Sequence, residues 1–191
     1  MVDHEELMCQ ALTRLDIEEF ERLAQIVEAE AEQRRRRLAA PGALGSAAAW
    51  YAAQGVPVFP VRPGEKVPLV RWRDEATTNP GQVAAWWRAW PQANIGMPTG
   101  IRWDVIDIDG PPGYQSHGLL REQGKVPQRL GLATTPRGGM HVYIAPTGDG
   151  NAASFLPGLD YRGLGGYVVL PPSRAATGRS YEWQQTPLVA P

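Results

Sequence analysis

The spacing of apolar residues along this 191-residue chain changes near residue 40. Before that point apolar side chains recur every three or four residues, which predicts helix over residues 1–38. After it, short apolar runs alternate with glycine and proline, which is typical of strands joined by turns. The stretch 41–46, rich in glycine and proline, separates the two patterns. It predicts an N-terminal helical appendage over residues 1–40 and a second domain over residues 44–190.

The second domain mixes predicted helices and strands without strict alternation, which indicates the α+β (mixed α/β) fold class. Prolines interrupt the apolar run 56–61, and such a strand belongs at the edge of a sheet. Trp86 and Trp90 stand at i, i+4 spacing in a predicted helix, so both are expected to pack in the core. The predicted helices span residues 47–54, 80–90 and 114–123, and the predicted strands span residues 56–61, 94–97, 103–109, 132–135, 140–145 and 167–170.

Composition and charge exclude several classes of protein. Cys9 is the single cysteine, so neither a disulfide framework nor a cysteine-based zinc site is expected. No apolar run approaches about 18 residues and the N-terminus does not resemble a signal peptide, which predicts a cytoplasmic protein without a membrane partner. Residues 1–40 carry 6 basic and 10 acidic residues, which leaves 13 basic and 10 acidic residues for 41–191. This basic balance suits a phosphate-rich partner.

Two aspartates alternate with isoleucine in the predicted strand 103–109. The two-residue period of a strand puts Asp107 and Asp109 on one face, so their carboxylates converge. Like charges this close need a compensating cation or proton, and hard oxygen ligands suit magnesium or manganese. The alternative is that Asp109 opens an Asp-Gly-Pro-Pro turn while Asp107 caps a neighbouring element.

Two further motifs follow along the chain. The glycine pair Gly138-Gly139 predicts a tight turn whose N–H groups approach a phosphate, with Arg137 and His141 beside it. A histidine on an apolar strand is otherwise a core residue with its hydrogen bonds satisfied. Asp160 and Arg162 repeat the same-face spacing, as a third metal carboxylate beside a phosphate-binding arginine or as a simple ion pair.

Taken together, these motifs resemble the bifunctional primase-polymerase family of the archaeo-eukaryotic primase superfamily. The resemblance covers about residues 44–188, and its three superfamily motifs occur in order as the acidic pair, His141 and Asp160. The sequence blocks that carry it besides these motifs are residues 49–60, 64–68, 86–87 and 94–100.

The resemblance implies roles for particular residues. Three aspartates would ligate two catalytic ions, Mg²⁺ or Mn²⁺, namely Asp107, Asp109 and Asp160. His141 would contact the phosphates of the incoming nucleotide. The nucleotide pocket would be completed by Lys66, Arg162 and the turn formed by Arg137, Gly138 and Gly139. Arg137 departs from the family pattern, because a small hydroxyl residue is expected before the glycine pair.

The resemblance also implies a fold and a function. Residues 44–190 would form a primase-polymerase catalytic domain, in which a small α/β module joins a sheet module related to the RNA-recognition (RRM) fold. The chain would be a nucleotidyltransferase, a DNA primase and DNA polymerase that uses NTP or dNTP on a single-stranded DNA template and primer during phage or plasmid replication. The sequence holds no G-x-x-x-x-G-K-[ST] loop, so a separate helicase is expected as partner.

Two other functions remain open at the level of sequence. Three aspartates and a histidine can also activate water in a metal-dependent nuclease or phosphoesterase. The chain could instead be a catalytically silent DNA-binding module of a replication assembly. The basic residues beside the glycine pair favour triphosphate binding over the first alternative, and the clustered carboxylates argue against the second.

Overall fold

The computed structural model describes residues 42–187, together with residues 21, 22, 25, 26, 28 and 29. The chain divides into two compact units, residues 1–41 and residues 42–191. The six described residues of the first unit are helical, in agreement with the sequence pattern. The rest of the helix predicted over residues 1–38 lies outside the described residues.

Residues 42–187 combine four helices with nine strands. The helices are α1 (Ala43–Ala53), α2 (Trp72–Glu75), α3 (Pro80–Ala89) and α4 (Gly110–Glu122). The strands are β1 (Phe59–Val61), β2 (Asn94–Pro98), β3 (Asp104–Ile108), β4 (Gly131–Thr134), β5 (Met140–Ile144), β6 (Ala152–Leu156), β7 (Leu159–Arg162), β8 (Tyr167–Leu170) and β9 (Glu182–Gln185). Among the described helices, none has both the length and the apolar composition needed to cross a membrane.

Helix α1 begins four residues earlier than the sequence pattern predicts. Gly42 precedes it with φ of 84°, and the helix then runs through the stretch 41–46 that was expected to separate elements. Alanine-rich sequence has a high helix propensity, which compensates for one internal glycine. Gly45 also serves packing, because a Cβ atom there would lie 3.1 Å from the Cβ of Trp87 on α3.

Helix α3 shows why only part of its tryptophan cluster is buried. Asn79 caps the helix by accepting a hydrogen bond from the Gln82 N–H at 3.0 Å, and Pro80 occupies the first turn. Trp86 is buried as predicted, but Trp90 is 38% exposed. The prediction for Trp90 is wrong because the helix ends at Ala89, so Trp90 leaves the helical face that packs on the core.

The strands form two antiparallel sheets, which confirms the α+β class. The smaller sheet has the order β1-β2-β8, and β1 lies at its edge as predicted from its prolines. The larger sheet has the order β6-β7-β3-β5-β4-β9. After β7 the chain returns to the smaller sheet as β8 and then to the larger sheet as β9, a return that the sequence patterns did not predict. A relation of the larger sheet to the RNA-recognition fold stays a prediction.

The two faces of the larger sheet have different environments. On one face, Ile106 and Ile108 belong to a small apolar cluster beside α4. On the other face, Val105 and Tyr143 join the main core, which also contains residues of the smaller sheet. The two sheets therefore share one core. Polar side chains replace apolar ones at one end of this second face, and the candidate site lies there.

Candidate active site

Strand β3 places Asp107 between two polar residues of the neighbouring strands. In the antiparallel register Asp107 is paired with His141 on β5 and with Asp160 on β7. Directly opposed residues of an antiparallel sheet project from the same face. The sheet therefore brings together one residue from each of the three motifs that the sequence analysis singled out.

His141 approaches Asp107 as a neutral ring. Its Nε2 atom lies 3.4 Å from Oδ1 of Asp107, and the residue is 2% exposed. Burial lowers the pKa of His141 to about 3, and the charge of Lys66 lowers it further. The contact is therefore not an ion pair at neutral pH. The Nδ1 atom is buried without a hydrogen-bond partner among the described residues.

Asp107 is buried without the hydrogen bonds that usually stabilise a buried carboxylate. It is 5% exposed, and no group of the described residues donates a hydrogen bond to it. Burial raises the pKa of Asp107, although Lys66 and Arg162 oppose the shift, and the nearby charge of Asp160 raises it further. A bound cation would stabilise a buried carboxylate that accepts no hydrogen bond.

Asp109 has a free carboxylate for a reason that the local sequence supplies. It precedes α4 at the position where an aspartate usually accepts hydrogen bonds from the next N–H groups. Here Pro111 and Pro112 follow at the second and third helical positions, and proline has no N–H. Asp109 therefore opens the Asp-Gly-Pro-Pro turn, as the alternative interpretation predicted, but its side chain makes no capping hydrogen bond.

Asp160 is engaged by protein groups. Its Oδ2 atom accepts a hydrogen bond from Arg162 at 2.5 Å, and its Oδ1 atom accepts one from the Ser154 N–H at 2.6 Å. In residues 42–187 no three His, Cys, Asp or Glu side chains are arranged to hold a metal ion. Asp107 and Asp109 fit a hard divalent cation, since both are unpaired carboxylates. Asp160 fits one only if Arg162 and the Ser154 N–H release it.

The glycine pair shapes the five-residue hairpin loop between β4 and β5. Gly138 has φ of 84°, and a Cβ atom on Gly139 would lie 2.3 Å from the carbonyl oxygen of Ile108. The Gly138 N–H donates to the Thr135 carbonyl oxygen, and the Gly139 N–H donates to the Thr135 hydroxyl. Both N–H groups are used inside the hairpin, so neither is free for a phosphate in this conformation. Phosphate binding by this turn stays a prediction that rests on Arg137.

Two adjoining cavities open beside Asp107. The first, the aromatic cavity, has a volume of about 340 Å³ and is lined by Lys66, Trp72, Arg73, Asp107, Asn151, His141, Arg162, Gly165, Gly166, Tyr167, Val168, Val169 and Tyr181. The second, the aspartate cavity, has a volume of about 380 Å³ and is lined by Gly64, Glu65, Lys66, Asp107, Asp109, Thr135, Pro136, Arg137, Arg174, Ala175 and Tyr181.

The cavities separate the predicted site residues into groups. Lys66 and Asp107 line both cavities. His141 and Arg162 line the aromatic cavity only, whereas Asp109 and Arg137 line the aspartate cavity only. Three predicted residues, Asp160, Gly138 and Gly139, line neither of the two.

A family model described as "Bifunctional DNA primase/polymerase, N-terminal" matches residues 48–191. The chain belongs to this family. No curated protein sequence matches it at a significant level. Family membership supports a primase/polymerase-type function in DNA replication, with DNA and nucleotides as substrates and an enzyme of the nucleotidyltransferase type.

The part of the chain that matches the primase/polymerase family contains three cavity residues that sequence reasoning missed: Arg73, Arg174 and Tyr181. Arg174 and Tyr181 belong to the return from β8 to β9. Asn94 holds the backbone of Arg174 through two hydrogen bonds, of 2.7 and 2.9 Å. The basic residue directly after the strand-ending Pro-Pro-Ser was the available signal for Arg174.

Tyr181 is buried beside the catalytic candidates. It is 4% exposed, and its ring centre lies 5.6 Å from that of His141. Burial raises the pKa of Tyr181 to about 12, with a further contribution from the charge of Asp107. The hydroxyl therefore stays protonated at neutral pH.

Proposed function

We propose that this chain is a metal-dependent, template-directed nucleotidyltransferase that makes or extends primers on single-stranded DNA. The observation that carries the proposal is the pair of adjoining cavities that share Asp107 and Lys66. One cavity has the chemistry of a metal-bound triphosphate site and the other has the chemistry of a nucleoside site. A single nucleotide would span both.

The aspartate cavity combines carboxylates with cations. Asp107 and Asp109 supply unpaired carboxylates, and Lys66, Arg137 and Arg174 supply positive charge. We infer that Asp107 and Asp109 hold Mg²⁺ or Mn²⁺ and that Asp160 joins them when Arg162 turns towards the nucleotide. When bound, these ions would lower the pKa of the primer 3′-hydroxyl and neutralise charge on the triphosphate. Arginine suits this role because its guanidinium donates two parallel hydrogen bonds to phosphate oxygens.

The aromatic cavity offers a wall for a nucleobase. Trp72 and Tyr167 line it, with ring centres 5.1 Å apart, and the Arg73 guanidinium lies 4.5 Å from the Trp72 ring centre. Nucleobases stack on aromatic rings and on guanidinium planes with little sequence preference. This suits an enzyme in which the template, and not the protein, selects the base.

In the proposed reaction the primer 3′-oxygen attacks the α-phosphorus of the nucleotide. A new phosphorus–oxygen bond forms, the bond from the α-phosphorus to the bridging oxygen of the β-phosphate breaks, and pyrophosphate leaves. The 3′-hydroxyl proton passes to water. Lys66 lies where the two cavities meet and would hold the α-phosphate, while the neutral His141 can donate one hydrogen bond to a phosphate oxygen. Unwinding of duplex DNA would come from a helicase outside these 191 residues.

The test is incubation of the protein with labelled dNTPs or NTPs, Mg²⁺ or Mn²⁺, and primed or unprimed single-stranded template. We expect labelled product on the primed template, and its loss in Asp109→Asn. Glu122→Gln is the matched control, because Glu122 is an exposed carboxylate near the far end of α4. Cleavage of the template without incorporation would make the chain a nuclease, and neither reaction would indicate a silent DNA-binding module.

A further inference from the structure

We propose that the Tyr181 hydroxyl donates a hydrogen bond to the phosphoryl group that is transferred, which makes Tyr181 a further substrate-contacting residue. This assignment rests on the function proposed above. It is independent of the metal ligands, because it concerns an uncharged side chain that none of the sequence motifs contains.

Tyr181 lies where the two cavities meet. It is one of three residues that line both cavities, and the other two are Lys66 and Asp107. The transferred phosphoryl group must lie where the triphosphate meets the nucleoside. If one nucleotide spans both cavities, that point is beside the three shared residues.

The hydroxyl group of Tyr181 is available to a ligand. Within the described residues no group forms a hydrogen bond with it, although the residue is 4% exposed. The oxygen of this hydroxyl is not fully buried, in contrast to that of Tyr143, so it opens onto the two cavities that Tyr181 lines. A substrate oxygen in those cavities can accept a hydrogen bond from it.

The backbone fixes the ring in this place. The Tyr181 N–H donates to the Ser173 carbonyl oxygen at 2.8 Å, and the ring packs beside that of His141. The preceding loop is closed by hydrogen bonds from the Ala175 N–H to Arg179 and from the Gly178 N–H to Ala175. The hydroxyl is therefore held in position before substrate binds, which is the arrangement that favours transition-state contacts.

Tyr143 provides a matched control. It is fully buried, its hydroxyl also has no partner, and its ring centre lies 6.3 Å from that of His141. Unlike Tyr181, it lines neither of the two cavities. Tyr181→Phe and Tyr143→Phe thus remove the same atom from two rings that lie at similar distances from the His141 ring, and only one of the two residues lines the cavities.

The experiment is single-nucleotide extension of a primed template by both variants and the wild type, with Mg²⁺ and either dNTP or NTP, beside their melting temperatures. We expect Tyr181→Phe to lower kcat by about tenfold or more with both nucleotide types, since a hydrogen bond to a charged oxygen is lost. The KM for nucleotide should change less. Tyr143→Phe should extend primers at the wild-type rate. Neither variant should melt below the wild type, because neither loses a hydrogen bond within the described residues and the buried Tyr143 hydroxyl has no partner.

Three results would overturn the assignment. Equal rates for Tyr181→Phe and Tyr143→Phe would show that the hydroxyl makes no contact in the reaction. A loss confined to NTP would show that it meets the ribose 2′-hydroxyl and not the phosphoryl group. A wild-type protein that extends no primer would overturn the proposed function and this contact together, whereas either of the first two results overturns the contact alone.

Discussion

The two ends of strand β3 each carry a buried aspartate, and the two carboxylates have different surroundings. At the first end, Oδ2 of Asp104 accepts hydrogen bonds from the Thr147 N–H at 2.7 Å and the Tyr161 hydroxyl at 2.6 Å, while Oδ1 is buried without a partner among the described residues. At the second end, Asp107 accepts no hydrogen bond from the described residues, and burial raises its pKa. Both aspartates lie on a single strand of five residues.

The comparison shows how one strand serves structure at one end and chemistry at the other. A buried carboxylate with strong donors anchors the loop that follows β5, because breaking those hydrogen bonds would leave the donors unpaired. A buried carboxylate without donors stores unfavourable free energy that a ligand can release. The Asp107 end of β3, called the open end below, is also where the two cavities meet. The unsatisfied carboxylate therefore faces the space in which a ligand would bind.

The largest expected effect is at the open end. Asp107→Asn should lower primer extension by roughly 1,000-fold or more, since a metal-bound carboxylate contributes several kcal/mol to stabilising charge in the transition state. Because the folded pKa of Asp107 is raised, its unfavourable contribution to stability begins as pH rises through the ordinary value of 3.8 and grows until pH exceeds the raised pKa. The metal-free variant should therefore melt at the wild-type temperature or above it at pH 7. Extension assays and thermal melting check the two halves, and near-normal extension would contradict the proposed site.

A substitution at the Asp104 end of β3, the closed end, should lower stability and leave nucleotide use unchanged. Asp104→Ala removes the acceptor of two hydrogen bonds, so the free energy of unfolding should fall by about 2–3 kcal/mol. Urea unfolding monitored by tryptophan fluorescence measures it. Any folded fraction should keep its dependence on nucleotide concentration, because Asp104 lines neither cavity. A change in KM without loss of stability would remove the distinction between the two ends of β3.

The side of the site built from short-range patterns could be predicted from the sequence. The two-residue period of strands was enough to put Asp107 and Asp109 on one face of their run. The strands that carry Asp107 and His141 were predicted to within one residue of their observed bounds. The strand that carries Asp160 was not predicted, and neither was the pairing of the three strands. The α+β class followed from the same runs.

The side built by the return of the chain could not be predicted in this way. Tyr181 and Arg174 lie in loop sequence without periodicity, and only the pairing of β8 with β2 and of β9 with β4 brings them to the site. The Asp160–Arg162 pair and the hydrogen bonds within the glycine turn depend on side-chain and hairpin geometry that motif order does not encode. From the sequence, Asp160 and Arg162 could therefore be either a metal ligand beside a phosphate-binding arginine or a simple ion pair.

His141 gives a pH test of the open end. Its folded pKa lies near 3, whereas the unfolded chain has the ordinary value of 6.5. Below pH 6.5 the unfolded chain takes up a proton that the folded state does not, so stability is complete above that pH and falls as the pH is lowered. At pH 5 the loss from this group should be about 2 kcal/mol.

The measurement is the difference in unfolding free energy between pH 7 and pH 5 for the wild type and His141→Gln. We expect the variant to lose less stability over this interval by about the amount given by the histidine pKa shift. His117→Gln is the control, since burial also lowers the pKa of His117 but the residue is only partly buried. An equal pH dependence in His141→Gln and the wild type would show that the ring takes up a proton as readily in the folded state as in the unfolded chain, so that its contact with Asp107 would become an ion pair at pH 5.

The smallest expected effect concerns two arginines, one at each end of β3. Arg174 lines the aspartate cavity at the open end, whereas Arg129 is exposed at the closed end, just before the Leu130 N–H that donates to Tyr143. Arg174→Ala should raise the KM for nucleotide about tenfold, because a charged hydrogen bond to the triphosphate is lost. Arg174→Lys should recover only part of the affinity, because a lysine cannot make the bidentate contact. Arg129→Ala removes the same charge without removing a cavity residue and should leave KM unchanged.

Steady-state extension across nucleotide concentrations measures all three variants. Equal effects of Arg174→Ala and Arg129→Ala would mean that general positive charge, and not the aspartate cavity, attracts the nucleotide, and the triphosphate would then have to be assigned to the Arg162 side of Asp107.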